Sequence, residues 1–185
     1  LNTDFESWIN SNSKSFSVWI KNGGNTSEVR VFNAGYTSTG TGFAFGLGVT
    51  ANKPFYFLRQ ANGNAIKADF GNALDTSDWH HFAIVIDGSV SKAYLYQNSI
   101  LVKTQSNVGS PTQQTDISAK IGTFWQNTSL HAYEGEIAQM GIWQGALTQA
   151  QIQSVMESTS YQNIPSSVKS TLGSELITNG TFDSN

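Results

Sequence analysis

The chain of 185 residues has no cysteine, three prolines and only two arginines, Arg30 and Arg59. It also has no apolar run approaching the ~18 residues of a membrane-spanning helix. Without cysteine there can be no disulfide, no thiolate zinc site and no thiol nucleophile. Small extracellular animal domains usually rely on disulfides, so their absence favours a microbial or viral source. Charged residues make up 12% of the chain, about half of the ~25% usual in soluble domains. The net charge is −3 and no basic cluster occurs along the sequence. That argues against a nucleic-acid partner, which needs several cations to neutralise phosphates. A signal peptide and a membrane-inserting segment are both missing, and the opening on Leu1 reads as a fragment or a processed product.

Aromatic residues are plentiful, with eleven Phe, six Tyr and five Trp. The polar surface must be built from Ser, Thr, Asn, Gln and Gly rather than from ion pairs. Short alternating or apolar runs dominate, each closed by Gly, Asn, Asp or Ser. Strands are predicted at 16–21, 28–34, 42–49, 54–60, 64–70, 79–87, 92–97, 100–104, 117–124 and 136–144. One segment, Gln149–Glu157, reads as a helix. Thr148 is its N-cap, Gln151 completes a capping box, and Leu147 and Ile152 form a hydrophobic staple. Many strands and one late helix predict an all-β fold, a two-sheet antiparallel sandwich with a short C-terminal helix. The domain spans 1–157. Residues 158–173 read as a linker or wrapping tail.

Two stretches resemble a known family. SDWHHFAIVIDGSVSKAYLYQNSILV (77–102) is similar to the centre of laminin G-like domains in the concanavalin A-like lectin/glucanase superfamily, where a Trp-His pair opens a strand. YEGEIAQMGIWQGALTQAQIQSVM (133–156) resembles the family's closing strand and helix. The resemblance covers roughly residues 14–157. It implies a jelly roll, often with calcium at one rim and a carbohydrate or protein ligand nearby. The family's Asp-Gly hairpin turn is Asn98-Ser99 in this chain, which weakens a carry-over of calcium ligands to that loop, although the resemblance still implies calcium as a possible cofactor. The tail, SELITNGTFDSN (174–185), resembles the opening of another β-sandwich carbohydrate-binding module common in phage structural proteins; the alternative is an ordinary terminus.

The fold hosts lectins, adhesion modules, glycanases and structural domains, so side chains must decide among them. A retaining glycanase needs two carboxylates about 5–5.5 Å apart. Glu134 and Glu136 are expected to share a strand face, but Ala138 and Met140 stand where the family's pattern has its further carboxylates. Gly40, Gly42 and Gly46 suggest a phosphate loop without the helix it requires; strand bends or close backbone approach explain them better. Calcium would need six to eight oxygens. Asp69, Asp75, Asp78 and Asp116 are available for that, or as turn-formers and strand caps. Glycan binding needs an aromatic plate beside amides and hydroxyls. Phe124–Thr128 supplies Trp125 and Asn127, and Tyr36–Thr39 supplies Tyr36. Trp125 is either such a plate or a ring closing the core from the rim. Trp19, Trp79 and Trp143 are expected in the core.

His80 and His81 invite a catalytic or metal reading, but neighbours in a strand face opposite ways and cannot easily chelate one ion. A structural role is expected for both. The expectation is a non-enzymatic module, extracellular or on a virion such as a bacteriophage tail or fibre, that recognises host-surface glycans through Trp125, Asn127 and Tyr36. The rival is an architectural domain contacting other virion or cell-surface chains, with glycanase a distant third.

Overall fold

The computed structural model describes residues 3–36, 43–111, 113, 119–123 and 132–169. Ten strands form two antiparallel sheets. Sheet A has the order β10-β1-β6-β7-β8, with β10 at Gly135–Gln144, β1 at Lys14–Asn22, β6 at Trp79–Asp87, β7 at Lys92–Gln97 and β8 at Ile100–Ser106. Sheet B has the order β5-β4-β3-β2-β9, with β5 at Ala65–Asp69, β4 at Lys53–Arg59, β3 at Phe43–Thr50, β2 at Val29–Tyr36 and β9 at Ala119–Ile121. The predicted sandwich is therefore the observed one, and β6 and β7 have the bounds read from the sequence. The tight β7–β8 turn holds Asn98 and Ser99 at φ 50° and 61°, a left-handed pair that Asn-led hairpin turns tolerate.

The main core lies between the sheets, and strict alternation builds it. Phe16, Val18 and Ile20 of β1 and Phe82, Ile84 and Ile86 of β6 face Phe45, Leu47 and Val49 of β3 and Tyr56 and Leu58 of β4. Phe16 and Phe32 stack across the gap with ring centres 4.8 Å apart. An element absent from the sequence reading plugs one end: α1, Thr3–Asn10. Phe5, Trp8 and Ile9, spaced i, i+3, i+4, enter the core. Trp8 meets Phe45 edge-on at 5.3 Å, and its Nε1 donates to the carbonyl of Ser15 at 3.2 Å.

A second apolar layer covers the outer face of sheet A. The helix α2, Gln149–Glu157, starts with the anticipated capping box between Thr148 and Gln151. It lays Ile152 and Val155 over Ala83, Val85, Tyr96 and Trp143, with Leu147 beside them. Ile164 and Val168 join this layer from a 3-10 turn at Tyr161–Asn163 and a one-turn helix, α3, at Ser166–Lys169.

The tryptophans expected in the core divide three ways. Trp143 is buried under α2, Trp19 is half-buried, and Trp79 is 38% exposed. Trp79 shares the outer face of sheet A with Trp143, but it pairs with Lys21 at the end of β6 and takes no part in the apolar layer beneath α2. On the same face His81 is buried beside Trp19, ring centres 5.3 Å apart. Its backbone N–H donates to Asn98 Oδ1 at 2.9 Å. Its Nδ1 has no hydrogen-bond partner among the described residues.

Two buried bases make stability depend on pH. Burial pushes the Lys14 amine from 10.5 to about 7, although its Nζ donates to the Ile9 carbonyl at the end of α1. The folded state therefore binds the proton less well than the unfolded chain. Stability should rise as pH climbs from about 7 towards 10.5, by on the order of 5 kcal/mol at full extent. Urea unfolding at stepped pH checks this. Lys14→Met should flatten the profile, and a slope that survives the substitution would refute the assignment. Burial likewise pushes His81 from 6.5 to about 4. Stability is lost as pH falls through that window, and His81→Gln should remove that loss. An NMR titration should find the wild-type imidazole still neutral at pH 5.

Candidate functional site

Because α2 and the chain after it occupy much of the outer face of sheet A, the outer face of sheet B is the sandwich surface left for a ligand. No described helix packs on it. Residues of β4 alternate, so Tyr56 and Leu58 enter the core while Lys53, Phe55, Phe57 and Arg59 face out. Phe55 and Phe57 pair with Gly48 and Gly46 of β3. A Cβ at Gly46 would lie 2.4 Å from the Phe57 ring, and one at Gly48 would lie 2.5 Å from the Phe55 ring. The missing side chains thus let both rings lie over the neighbouring strand. Close backbone approach, not phosphate binding, is the role of Gly46, while Gly40 and Gly42 lie outside the described residues.

Cations roof this aromatic floor. The Arg30 guanidinium, on β2, stands 5.4 Å from the Phe55 ring centre and 5.2 Å from that of Phe57. Lys67 Nζ, on β5, is 4.0 Å from the Phe55 centre. Such contacts contribute roughly 0.5–2 kcal/mol each, more where water is excluded. Glu28 clamps both cations, accepting from Arg30 at 2.6 Å and from Lys67. Partial burial opposes charge on Glu28, but the hydrogen bonds and charges of Lys67 and Arg30 outweigh it and hold the carboxyl below its ordinary range. Lys120 of β9 pairs with Asn33 of β2, whose Nδ2 donates to the Thr123 carbonyl at 2.6 Å. Lys53, Arg59, Lys67, Lys120 and Arg30 thus share one face. The sequence shows no basic cluster because strand pairing, not proximity along the chain, brings these residues together.

Trp125 and Asn127 lie outside the described residues, as do His131, Asp116 and the side chain of Tyr36, which ends β2 opposite Phe43. The ends of the segment carrying Trp125 are fixed: Gly122 N–H donates to the Val31 carbonyl at 2.9 Å, and Tyr133 N–H to the Gly122 carbonyl at 2.8 Å. The segment therefore leaves beside Val31, whereas Tyr36 sits five residues further along β2, about 17 Å away along an extended strand.

The remaining candidates take structural places. Asp75 Oδ1 accepts from the backbone N–H groups of Asp78 (2.9 Å) and Ser77 (3.0 Å) and from the Ser77 hydroxyl. The bond from Asp78 is the largest influence holding the Asp75 carboxyl below its ordinary range. His80 Nε2 lies 3.4 Å from Asp75 Oδ2, and its ring faces inward near Phe82. Asp69 pairs with Lys103 at 3.7 Å. Among the described residues no three His, Asp or Glu converge. With Asp75 Oδ1 already filled, they do not fit a calcium cage. On β10 the expected shared face of Glu134 and Glu136 is corrected: Glu134 precedes the strand, which opens at Gly135 with φ 145°. Glu136 pairs with Lys21 at 3.4 Å. A bulge at Gln139 (φ 46°) leaves Met140 packed against the core.

Similarity to known proteins agrees with the fold. No curated protein sequence matches the chain. Among solved structures, the carbohydrate-binding module CBM40 of a Ruminococcus gnavus IT-sialidase superposes with TM-score 0.68 at 17% identity, covering 84% of this chain and 87% of that one. The same module has been solved bound to α2,3-sialyllactose. A SAP-like pentraxin from Limulus polyphemus gives TM-score 0.62 at 17% identity, over 82% of this chain and 73% of that one. The binding domain of botulinum neurotoxin serotype G gives 0.62 at 12%, over 79% of this chain but only 36% of its own length. These likenesses concern the fold. A family model, laminin G type 3, matches residues 2–153, and the chain belongs to that family of the concanavalin A-like lectin/glucanases superfamily.

Proposed function

We propose that this domain is a non-enzymatic glycan-recognition module of a larger extracellular or virion protein. The observation that carries the reading is the asymmetry of the two outer faces: α2 packs on one, while the other has no described helix on it and carries cations over a covered floor of Phe55 and Phe57. Solved structures of similar fold include a module bound to sialyllactose and a botulinum neurotoxin whose cell entry depends on two ganglioside molecules. Trp125, Asn127 and Tyr36 are the proposed sugar contacts, with Trp125 as the stacking plate. The proposed lack of enzymatic activity rests on β10, where Glu136 is the sole carboxylate and is paired with Lys21. A bacteriophage origin rests on low charge and missing cysteine, and the parent protein's neighbouring modules decide it.

One observation favours the rival, protein-contacting role. The edge strand β8 exposes Ile100 (65%), Leu101 (41%) and Val102 (39%) in succession. Such an edge is a ready surface for another chain.

A glycan array with the purified chain, with and without calcium, separates the two. Binding to microbial or host glycans is expected, weakened at least tenfold by Trp125→Ala. Silence across the array, together with concentration-dependent association abolished by Leu101→Lys, would favour the protein-contact role. Release of reducing ends from a β-glucan, lost in Glu136→Gln, would overturn the non-enzymatic assignment.

A further inference from the structure

We infer that the outer face of sheet B takes a linear polyanionic polysaccharide, one bearing repeated carboxylates, rather than a neutral glycan or a single terminal acidic sugar. This rests on the glycan-recognition reading and specifies its ligand.

Charge distribution is the first support. The chain has ten cations against thirteen acids. Five of those cations, Arg30, Lys53, Arg59, Lys67 and Lys120, stand on this face, both arginines among them. Its two acids are already engaged, Glu28 by Arg30 and Lys67, and Asp69 by Lys103. The rest of the chain is left with five cations against eleven acids. A net-negative protein has therefore concentrated positive potential on the one sheet face that no described helix covers.

Spacing is the second. Lys53 and Arg59 lie six residues apart on β4, about 20 Å along the strand, and β5 to β9 spans four strand intervals, about 19 Å. The cations are dispersed over this area and do not converge on one point. Recognition of a single carboxylate favours a convergent, bidentate arginine fork. Here Arg30 is held by Glu28 over the phenylalanine floor, and Arg59 Nη1 donates to the Gly63 carbonyl at 3.2 Å. What faces outward is chiefly lysine, a point charge on a flexible stem. Dispersed point charges suit a chain that carries its own dispersed charges. Nucleic acid fits less well, because Phe55 and Phe57 are covered, 1% and 9% exposed, and cannot stack on bases.

The test uses the full 185-residue chain and polygalacturonate, its fully methyl-esterified neutral form, galacturonic acid monomer, sialyllactose and duplex DNA. Polygalacturonate should bind at least tenfold more tightly than the ester and the monomer, and its affinity should fall at least tenfold between 50 and 300 mM NaCl. Lys53→Gln with Lys120→Gln, both away from the Phe55–Phe57 floor, should cost several-fold and reduce the salt dependence, with an unchanged melting temperature confirming the fold. Adding Lys67→Gln should deepen the loss. Equal binding of ester and acid, preference for sialyllactose, duplex DNA bound as tightly as polygalacturonate, or full affinity in the double variant would each overturn the inference. Binding of neutral glycans without polygalacturonate would leave glycan recognition standing and remove only its acidic ligand. No binding to any glycan on the array would remove both.

Discussion

Phe55 and Phe57 can lie over β3 only because positions 46 and 48 have no Cβ, and the rest of the candidate surface depends on that. With the rings over β3, the face of sheet B is apolar at its centre, a poor surface to leave in water. Arg30 and Lys67 cover it with their guanidinium and ammonium groups, which are favourable over a ring face. Glu28 then fixes both cations in place. A glycine pair in one strand thus determines where charge stands two strands away.

The two sheets divide the work. Each has an inner face in the common core, so the outer faces are what the two sheets have left to offer. Sheet A spends most of its outer face on α2 and on Ile164 and Val168. Burying side chains such as Ile152 and Val155 contributes roughly 1.5–3 kcal/mol apiece. Beside that layer, near the start of β6, His81 lies against Trp19 and is held neutral by burial. The stabilising helix and the proposed ligand face are therefore on opposite sides of one sandwich. A ligand on sheet B need not disturb the C-terminal packing.

Strands and α2 were legible because period-two alternation and a capping box are local signals. The helix α1 was not: eight residues give only one Phe5-Trp8-Ile9 stripe, and what holds it is the far-off partners Phe32 and Phe45. Alternation assigned Trp79 to the correct face but could not say whether that face is covered at its end, hence the mistaken core assignment. The cationic face was invisible along the chain because Arg30 and Lys120 are ninety residues apart and meet only through the order β5-β4-β3-β2-β9. For Trp125 and Asn127 the opposite limit applies. Their chemistry was readable from residue type, whereas they lie outside the described residues, between the anchors at Gly122 and Tyr133.

The same rule of strand geometry explains the most conspicuous motif and the least conspicuous one. In WHHFAIVID the histidines are adjacent, so they point to opposite faces: His80 inward beside Phe82, His81 outward beneath Trp19. Adjacency, which suggests a site when letters are read in a row, separates the two rings by the thickness of the sheet. In KPFYFLR the residues that matter are spaced by two, and the intervening Tyr56 and Leu58 hide the relation. Yet Lys53, Phe55, Phe57 and Arg59 share one face, and pairing with β3 and β5 adds Gly46, Gly48 and Lys67 to it. A surface for a ligand in a β-sandwich is therefore better sought among alternate residues of neighbouring strands than among neighbours in sequence.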